Sequence, residues 1–186
     1  MAKMTIDNNA FPYPMSMVLL GTMVNGRPNF MAVGWVTRVN YQPPLIAAAL
    51  GKSHYTNGGI HASKAFSINI PGVDLLEKTD YCGIVSGKNK DKSALFSVTV
   101  GEKTGAPLIE ECPVQLECKL TTVVDLPSNE LFVGEIVGAF ADAGCCSDGK
   151  PDIEKIRPFT LTMPDNRYWA VGPSAGRAWH IGKNIK

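Results

Sequence analysis

The residues in this sequence that are best suited to chemistry are two hydroxyls and one lysine. Ser53 and Thr56 stand three residues apart at the start of a predicted helix, and Lys92 follows in a basic loop that begins at Ser86. Backbone N–H groups at a helix start, hydroxyl donors and an ammonium are together suited to hold a phosphate. The alternative is structural: either hydroxyl caps the helix, and Lys92 is a solvated charge. The residues alone favour neither interpretation.

Other candidate reaction centres have less support. His54 and His61 lie seven residues apart across two glycines, and no carboxylate or cysteine stands at a spacing typical of zinc sites. The sequence contains no GxSxG, GxGxxG or GxxxxGK[ST] motif, which argues against a serine hydrolase, a Rossmann site and a P-loop. The adjacent Cys145 and Cys146 would bridge only through a strained ring. We therefore predict no metal ligand and no catalytic protein nucleophile.

Composition predicts one globular domain over residues 1–186, with residues 1–10 as an N-terminal extension. The chain has 18 Lys plus Arg, 17 Asp plus Glu and 45% hydrophobic residues. A net charge of +1 gives no basis for binding nucleic acid or an anionic membrane. The longest apolar run, Leu45–Leu50, is far shorter than the roughly 20 residues of a membrane span. Residues 1–10 lack a signal-peptide pattern, and the five cysteines are irregularly spaced, so we predict a cytoplasmic protein.

Short strands must position the candidate residues. Apolar runs at 17–24 and 29–36 flank Asn25-Gly26, a pair that favours a type I′ turn, which predicts a β-hairpin. The continuous apolar run Leu45–Leu50 follows Pro43-Pro44 and predicts a strand buried on both faces.

Two short helices are predicted at 53–64 and 74–84, on either side of a half-buried strand at 66–70. Alternating apolar and polar residues predict a strand at 114–122, with Cys118 on its buried face.

A return strand is predicted at 131–140, where Gly134 and Gly138 leave room for a bulge. A further strand is predicted at 159–163. About seven short strands with two or three helices favour a closed or partly open β-barrel, since closure protects the strand edges. The pattern alone leaves the choice between barrel and sandwich open.

Several short motifs occur together in a specific order. They are Asn29–Thr37, Pro43-Pro44, Ser53–Asn57, Phe66–Asn69, Asp91-Lys92, Gly134–Val137 and Tyr168–Gly172. On these motifs the sequence resembles the flavoredoxin branch of the flavin reductase-like family, from about Phe11 to its end. The resemblance implies a mainly β, Greek-key split barrel with a few short peripheral helices. It also implies a homodimer that holds non-covalent FMN in a groove near the subunit interface.

The resemblance also assigns site residues. Those it places at the FMN phosphate are Ser53, Thr56 and Lys92, and those it places along the ribityl chain and ring are Asn29, Trp35 and Thr37. Backbone N–H groups between Met31 and Thr37, Val36 included, are expected to bond the polar edge of the ring, and Tyr55 is a further expected contact. Trp35 and Tyr55 have a structural alternative, because aromatic residues in β proteins often simply pack.

The implied activity is that of an FMN-dependent oxidoreductase, which passes electrons from NAD(P)H or a redox protein through the flavin to an acceptor. Family members commonly carry a histidine shortly before the Gly-Glu-Val motif, whereas this chain reads Ser128-Asn129-Glu130. Loss of that contact favours one alternative, a non-enzymatic FMN-binding electron carrier. A second alternative is a split barrel that binds another flat ligand such as haem.

Overall fold

A computed structural model describes residues 1–185, so Lys186, the last residue of the predicted domain, lies outside the described part of the chain. The described backbone contains fourteen strands, three α-helices and four short 3-10 helices. The strands are β1 (Met15–Ser16), β2 (Val18–Val24), β3 (Arg27–Val33), β4 (Val36–Asn40), β5 (Leu45–Gly51), β6 (Ala65–Ile70), β7 (Val98–Val100), β8 (Pro107–Ile109), β9 (Val114–Asp125), β10 (Asn129–Ala141), β11 (Cys146–Ser147), β12 (Lys150–Pro151), β13 (Phe159–Thr162) and β14 (Arg167–Ala170). The α-helices are α1 (Tyr55–Ser63), α2 (Leu76–Ile84) and α3 (Ile153–Ile156), and the 3-10 helices are Val73–Leu75, Ser93–Leu95, Ala143–Cys145 and Ile181–Asn184.

Seven strands form the main sheet, in the order β3-β2-β6-β9-β10-β5-β4, and every neighbouring pair is antiparallel. Strands β3 and β4 are its two edges, yet only Gly34 and Trp35 separate them along the chain. Edges joined by two residues can meet only if the sheet curls round on itself, which makes a barrel. No ladder joins β3 to β4 among the described residues, so the barrel is split between them. The prediction of a mainly β split barrel with a few short helices is confirmed.

The barrel interior is filled by every second side chain of its strands. Val18 and Leu20 come from β2 and Phe66 and Ile68 from β6, and each is at most 4% exposed. Cys118 of β9 is fully buried in the same cluster, which confirms its predicted core position.

The predicted hairpin is confirmed by its turn. Asn25 has a φ of 51° and Gly26 a φ of 77°, and a type I′ turn requires a positive φ at both central residues. Val24 pairs with Arg27 directly across this turn. The predicted second strand ends earlier than expected, at Val33, because the chain crosses from one edge of the barrel to the other at residues 34–35.

Strand β6 is buried on both faces, so the prediction that residues 66–70 are half-buried is wrong. Its polar residues face a second layer instead of solvent. Ser67 donates a hydrogen bond to the Pro107 carbonyl oxygen, and the Asn69 side-chain carbonyl accepts one from the Ile109 N–H at 2.9 Å. These bonds satisfy polar groups that would be costly to bury without a partner.

Strand β10 carries the two irregularities expected at its glycines. Its register with β9 shifts between Val133 and Gly134, and again between Ile136 and Gly138. A Cβ at position 134 would lie 2.6 Å from the Phe66 ring, so a glycine is needed there for the ring to fill the core.

Helices α1 and α2 have nine residues each, and no helix in residues 1–185 has both the length and the apolar character needed to cross a bilayer.

Candidate functional site

The first turn of α1 and the last turn of α2 meet beside strand β3 and enclose a cleft of about 350 Å³. Five of the nine predicted site residues line this cleft, namely Met31, Ser53, Tyr55, Thr56 and Lys92. A sixth, Asn29, reaches it through a hydrogen bond to Thr56. The structure therefore brings the predicted phosphate residues together, although they are up to 39 positions apart in the sequence.

Lys92 lies buried beside the cleft, only 3% exposed. Its Nζ donates to the carbonyl oxygens of Val85, at 2.8 Å, and Cys82, at 3.1 Å. Both carbonyls belong to the C-terminal end of α2, where the helix carries a partial negative charge. The interpretation of Lys92 as a solvated charge is therefore wrong, because tertiary packing against α2 draws the side chain out of the basic loop and into the protein.

The buried ammonium has an unmet requirement. It carries three N–H donors, and among residues 1–185 protein acceptors meet two of them. No carboxylate in this part of the chain lies within ion-pair distance of Lys92. Burial lowers the pKa of the ammonium, since the charged form is costly to desolvate. An anion in the cleft would supply both the missing acceptor and the missing countercharge.

Helix α1 presents its N-terminus to the same cleft. Its N-cap is His54, which makes no side-chain capping bond, and its first turn holds no acidic residue. The structural alternative, in which Ser53 or Thr56 caps the helix, is thus wrong: Ser53 is exposed one residue before the N-cap, and Thr56 turns towards β3. Within the described helix, no side chain of the N-cap or first turn offers a negative charge to the positive end of the helix dipole, which favours an anion there.

Asn29 fixes the Thr56 hydroxyl. The Asn29 Nδ2 atom donates to Thr56 Oγ1 at 2.9 Å, and both residues are at most 6% exposed. The hydroxyl oxygen therefore acts as an acceptor for Asn29, and its own O–H remains available as a donor towards the cleft. Gly87 makes this packing possible, because a Cβ at position 87 would overlap the Asn29 Oδ1 atom. Sequence reasoning missed Gly87, whose one signal was a glycine inside a basic loop.

The cleft opens into a groove that follows strand β3. Met31, Ala32 and His54 line both the cleft and an adjoining hollow of about 270 Å³. Gly34 and Trp35 line that hollow together with a third one of about 790 Å³. The three spaces are neighbours that share these lining residues, and we call them together the groove.

Three predicted site residues lie towards the far end of the groove, away from the cleft. Trp35, Val36 and Thr37 line the third hollow, and none of them lines the cleft. Trp35 is 46% exposed, and its ring centroid lies 6.1 Å from that of Phe11. Thr37 is exposed, and its hydroxyl makes a long hydrogen bond of 3.4 Å to the neighbouring Arg38 carbonyl.

Backbone groups of β3 also face the groove. Val24 and Arg27 flank a two-residue turn and form a hydrogen-bonded pair, so every second residue from Arg27 bonds to β2. Ala32 falls on the other phase, so its N–H and C=O point away from β2 at a strand edge that the described residues leave unpaired. Sequence reasoning did not single out Ala32 within residues 31–37. The position of the Asn25-Gly26 turn nevertheless determines which backbone groups of β3 point away from β2.

Asn129, at the position where the resemblance implies a histidine, also borders the groove. Asn129 lines the middle hollow, and its Oδ1 accepts a hydrogen bond from Ser128 Oγ at 2.8 Å. An amide side chain therefore occupies the position at which the resemblance implies an imidazole.

Thiols and metal ligands contribute little to the site. Cys82 lines the cleft, but burial raises the pKa of its thiol to about 11, which keeps it protonated at neutral pH. Cys145 and Cys146 are unbridged and partly exposed. Across residues 1–185 no three His, Cys, Asp or Glu side chains cluster closely enough to hold a metal ion.

Comparison with known proteins places this geometry among flavoproteins. Residues 9–150 match the family model described as the flavin reductase like domain. Flavoredoxin from Methanosarcina acetivorans is 48% identical over 100% of both chains, with a TM-score of 0.97. Flavoredoxin of Desulfovibrio vulgaris (Miyazaki F) is 36% identical over 96% of this chain and 100% of that chain, with a TM-score of 0.88.

The architecture extends to a more distant protein. A protein of Shewanella frigidimarina with a split barrel domain has a TM-score of 0.81, covering 92% of this chain and 89% of that chain. At 20% identity this likeness concerns the fold alone.

Proposed function

The chain belongs to the flavin reductase-like domain family, and we propose that it is an FMN-dependent oxidoreductase of flavoredoxin type. Family membership and the flavoredoxin relatives support a redox function that involves flavin.

One observation carries the choice of a phosphate-bearing ligand: the buried Lys92 ammonium borders the same cleft as the α1 N-terminus, and among residues 1–185 it has a free donor and no carboxylate partner. FMN has a phosphate at one end and a flat, partly apolar ring at the other. In the proposal Ser53, Thr56 and Lys92 hold the phosphate, and Asn29 keeps the Thr56 hydroxyl in place. Charge-assisted bonds of this kind are shorter and stronger than neutral ones.

The groove supports the assignment of the remaining residues. Met31 and Ala32 connect the cleft to the hollows near Trp35, Val36 and Thr37, so an elongated ligand anchored at Lys92 can lie along β3. The proposed partners of the ribityl chain and ring, beyond Asn29, are Met31, Trp35, Val36 and Thr37, with Tyr55 beside the phosphate. Bound FMN would supply the redox chemistry, because its ring accepts and releases electrons. Backbone donors such as the Ala32 N–H would hold the ring in orientation and tune its electron affinity.

The electron donor is either NAD(P)H or a redox protein. Asn129 supports the second option, since an amide replaces the expected histidine at the middle of the groove. An electron carrier without its own nicotinamide site is therefore the second candidate function.

A homodimer is also part of the proposal. Near the far end of the groove, Val39 on edge strand β4 is 49% exposed, and Tyr41, which follows that strand, is 88% exposed. Exposed apolar side chains that lie near one another suit an interaction site. Light scattering coupled to size exclusion should give twice the chain mass of 20.0 kDa.

An absorbance titration tests the proposal. Purified protein is titrated with FMN, then treated anaerobically with NADH, with NADPH and with a reduced low-potential electron-transfer protein. Stoichiometric binding followed by bleaching with a nicotinamide supports a reductase, and bleaching with the protein donor alone supports a carrier. Failure to bind FMN after reconstitution would refute the proposal, and a haem spectrum in the purified protein would favour the flat-ligand alternative.

A further inference from the structure

Residues 173–185 follow strand β14 on the outside of the molecule, and we call them the tail. Every tail side chain that the structure describes is exposed. The backbone hydrogen bonds of the tail run within it: the Ile181 N–H donates to the Arg177 carbonyl at 3.1 Å, and the Lys183 N–H donates to the His180 carbonyl at 3.1 Å. Among residues 1–185, no backbone hydrogen bond joins the tail to the barrel. The barrel of its own chain therefore does not hold the tail in place.

The tail nevertheless has a definite fold. Residues Ile181–Asn184 form a 3-10 helix, and Gly176 packs against Ile181 so closely that a Cβ at position 176 would lie 2.8 Å from Ile181 Cδ1. Isolated helices of one turn are marginal in water, because few hydrogen bonds offset the ordering of the backbone. A contact outside its own chain would supply the missing stabilisation.

The same course of the tail occurs in a relative. Flavoredoxin from Methanosarcina acetivorans superposes with a TM-score of 0.97 over 100% of both chains. A score so close to 1 requires the tail residues to superpose along with the barrel. Chain ends are poorly ordered unless they are tied down, so the shared course indicates a specific contact.

The exposed side chains of the tail are apolar and basic. Trp179 is 95% exposed and Ile181 58%. Trp179 also has a φ of 55°, a left-handed conformation that bulky residues rarely adopt. Arg177 and Lys183 add positive charge, and the tail contains no Asp or Glu. Such a segment suits an apolar surface that carries no cation.

The hollow of about 790 Å³ at the far end of the groove offers such a surface. Phe11, Trp35, Val39 and Leu131 are among the described residues that line it, and none of these lining residues is charged. Trp35 is 46% exposed and Val39 49%, so both present apolar area to solvent. The cleft at the other end of the groove is unsuitable, because Lys92 would repel a basic segment.

The tail and this hollow do not meet within one chain. Among residues 1–185, no tail residue lines the hollow, and Val171 and Gly172, which precede the tail, border a separate hollow beside Tyr13. Two copies related by a two-fold axis can exchange tails, since the same contact is then made twice and the assembly closes. A second copy of this chain therefore satisfies both surfaces.

We propose that the tail of each copy packs against the far end of the groove in a second copy, where the partner's Trp179 covers Trp35 and Val39. The second copy thereby completes the flavin site, which a single chain leaves open to solvent at Trp35. The inference rests on the proposed function, because it takes the groove as the flavin site and the chain as a dimer.

The experiment joins the two surfaces by a disulfide between copies. All proteins carry Cys145→Ser and Cys146→Ser, since these two thiols are partly exposed. A tagged chain with Trp179→Cys is co-expressed with an untagged chain with Val39→Cys. The control replaces Val39→Cys by Ile153→Cys, at a position that is 54% exposed and outside the hollow. After mild oxidation, peptide mapping should show the disulfide between positions 179 and 39 about tenfold more often than the control disulfide, because only residues already close together can be bridged.

A second readout links the tail to the flavin. Trp179→Ala should raise the Kd for FMN about threefold, since the indole that covers the far end of the groove is removed. Trp169→Ala, at an exposure of 49%, is the matched control and should leave the Kd unchanged.

The outcomes separate the two claims. A dimer that binds FMN but forms no disulfide between positions 179 and 39, or forms it no more often than the control disulfide, would overturn the tail contact and leave the proposed function intact. An unchanged Kd for FMN in Trp179→Ala would overturn the contribution of the second copy to the flavin site. A wild-type mass of 20.0 kDa in light scattering would overturn the exchange of tails. Failure of the wild type to bind FMN would instead overturn the proposed function, and with it the site that the tail completes.

Discussion

The two ends of the groove differ in how completely the chain encloses them. At the cleft end Asn29, Thr56 and Lys92 are at most 6% exposed, and each has a hydrogen-bonding partner. At the far end Trp35 is 46% exposed, and among residues 1–185 the Thr37 hydroxyl bonds only to the carbonyl of the neighbouring Arg38.

This difference separates what the chain orders by itself from what a ligand or a second copy must complete. Packing of α1, α2 and the 86–92 loop holds the polar groups of the cleft in position before any ligand arrives, which lowers the entropic cost of binding. The Trp35 end lacks such support, so its contribution should depend on what fills it. Substitutions at the cleft end should therefore have the larger effects on affinity.

The largest effect is expected for Lys92→Ala. Loss of the ammonium should weaken FMN binding by about 1 to 3 kcal/mol, since a charge-assisted bond to the phosphate is removed. Calorimetry or flavin fluorescence measures the change, and Lys150→Ala, at an exposed position outside the cleft, is the matched control. An unchanged Kd for Lys92→Ala would show that Lys92 does not bind the phosphate. It would also contradict the expectation that the cleft end contributes more to affinity than the far end.

Thr56→Val should have the next largest effect. The change keeps the shape of the side chain but leaves the buried Asn29 Nδ2 donor without its acceptor, which should cost about 1 to 2 kcal/mol of unfolding free energy. FMN affinity should fall as well, whereas Thr56→Ser should retain both properties. A double-mutant cycle with Asn29→Ala, read by urea denaturation, should show coupling; strict additivity would mean that the two side chains act independently.

Trp35→Ala probes the open end and should have a smaller effect. If the indole lies near the flavin ring, FMN affinity should drop by about 0.5 to 1.5 kcal/mol and the flavin fluorescence should change, with little loss of melting temperature. Trp169→Ala is a control at similar exposure, 49%. A lower melting temperature with an identical flavin spectrum would favour a purely structural role for Trp35.

The smallest effect concerns the anchoring of α1. Glu130 on β10 accepts hydrogen bonds from His61 Nε2 and Asn57 Nδ2, each at 2.8 Å. Burial pushes the pKa of its carboxyl upward, but these two bonds outweigh burial and hold the pKa below the ordinary 4.5. The folded state thus favours the ionised form, so the stabilisation is complete above pH 4.5 and is lost as pH falls through the lowered value.

The corresponding measurement is the unfolding free energy as a function of pH. Below pH 4.5 the wild type should lose stability more steeply than Glu130→Gln, in which this carboxyl is absent. Parallel curves for the two proteins would show that the His61–Glu130–Asn57 contact does not stabilise the ionised carboxyl.

Much of the fold could be predicted because local signals agree with it. Asn25-Gly26 sets the turn and therefore the register of β2 and β3, and Gly134 and Gly138 mark the bulges of β10. The prediction that strand β6 is half-buried was wrong because its polar residues bond to a second layer of structure. An alternating sequence looks the same whether its polar side chains face such a layer or water.

The sequence proposed candidate residues for the site but did not reveal how they are arranged. The burial of Lys92 depends on carbonyls at the end of α2, and the orientation of Thr56 depends on Asn29, 27 positions earlier. Both are long-range contacts that a polar loop and a helix start do not reveal. The split of the predicted strand at Gly34 likewise arises from barrel curvature rather than from local sequence.

Comparison of FMN with riboflavin tests the central claim most directly, because the two ligands differ only in the phosphate. Titration of the wild type and Lys92→Ala with both ligands separates the cleft from the rest of the groove. We expect the wild type to bind FMN more tightly than riboflavin, and Lys92→Ala to lose most of that difference while its riboflavin affinity stays unchanged. Equal affinities of the wild type for both ligands, or equal weakening of both by Lys92→Ala, would contradict a phosphate site at Lys92.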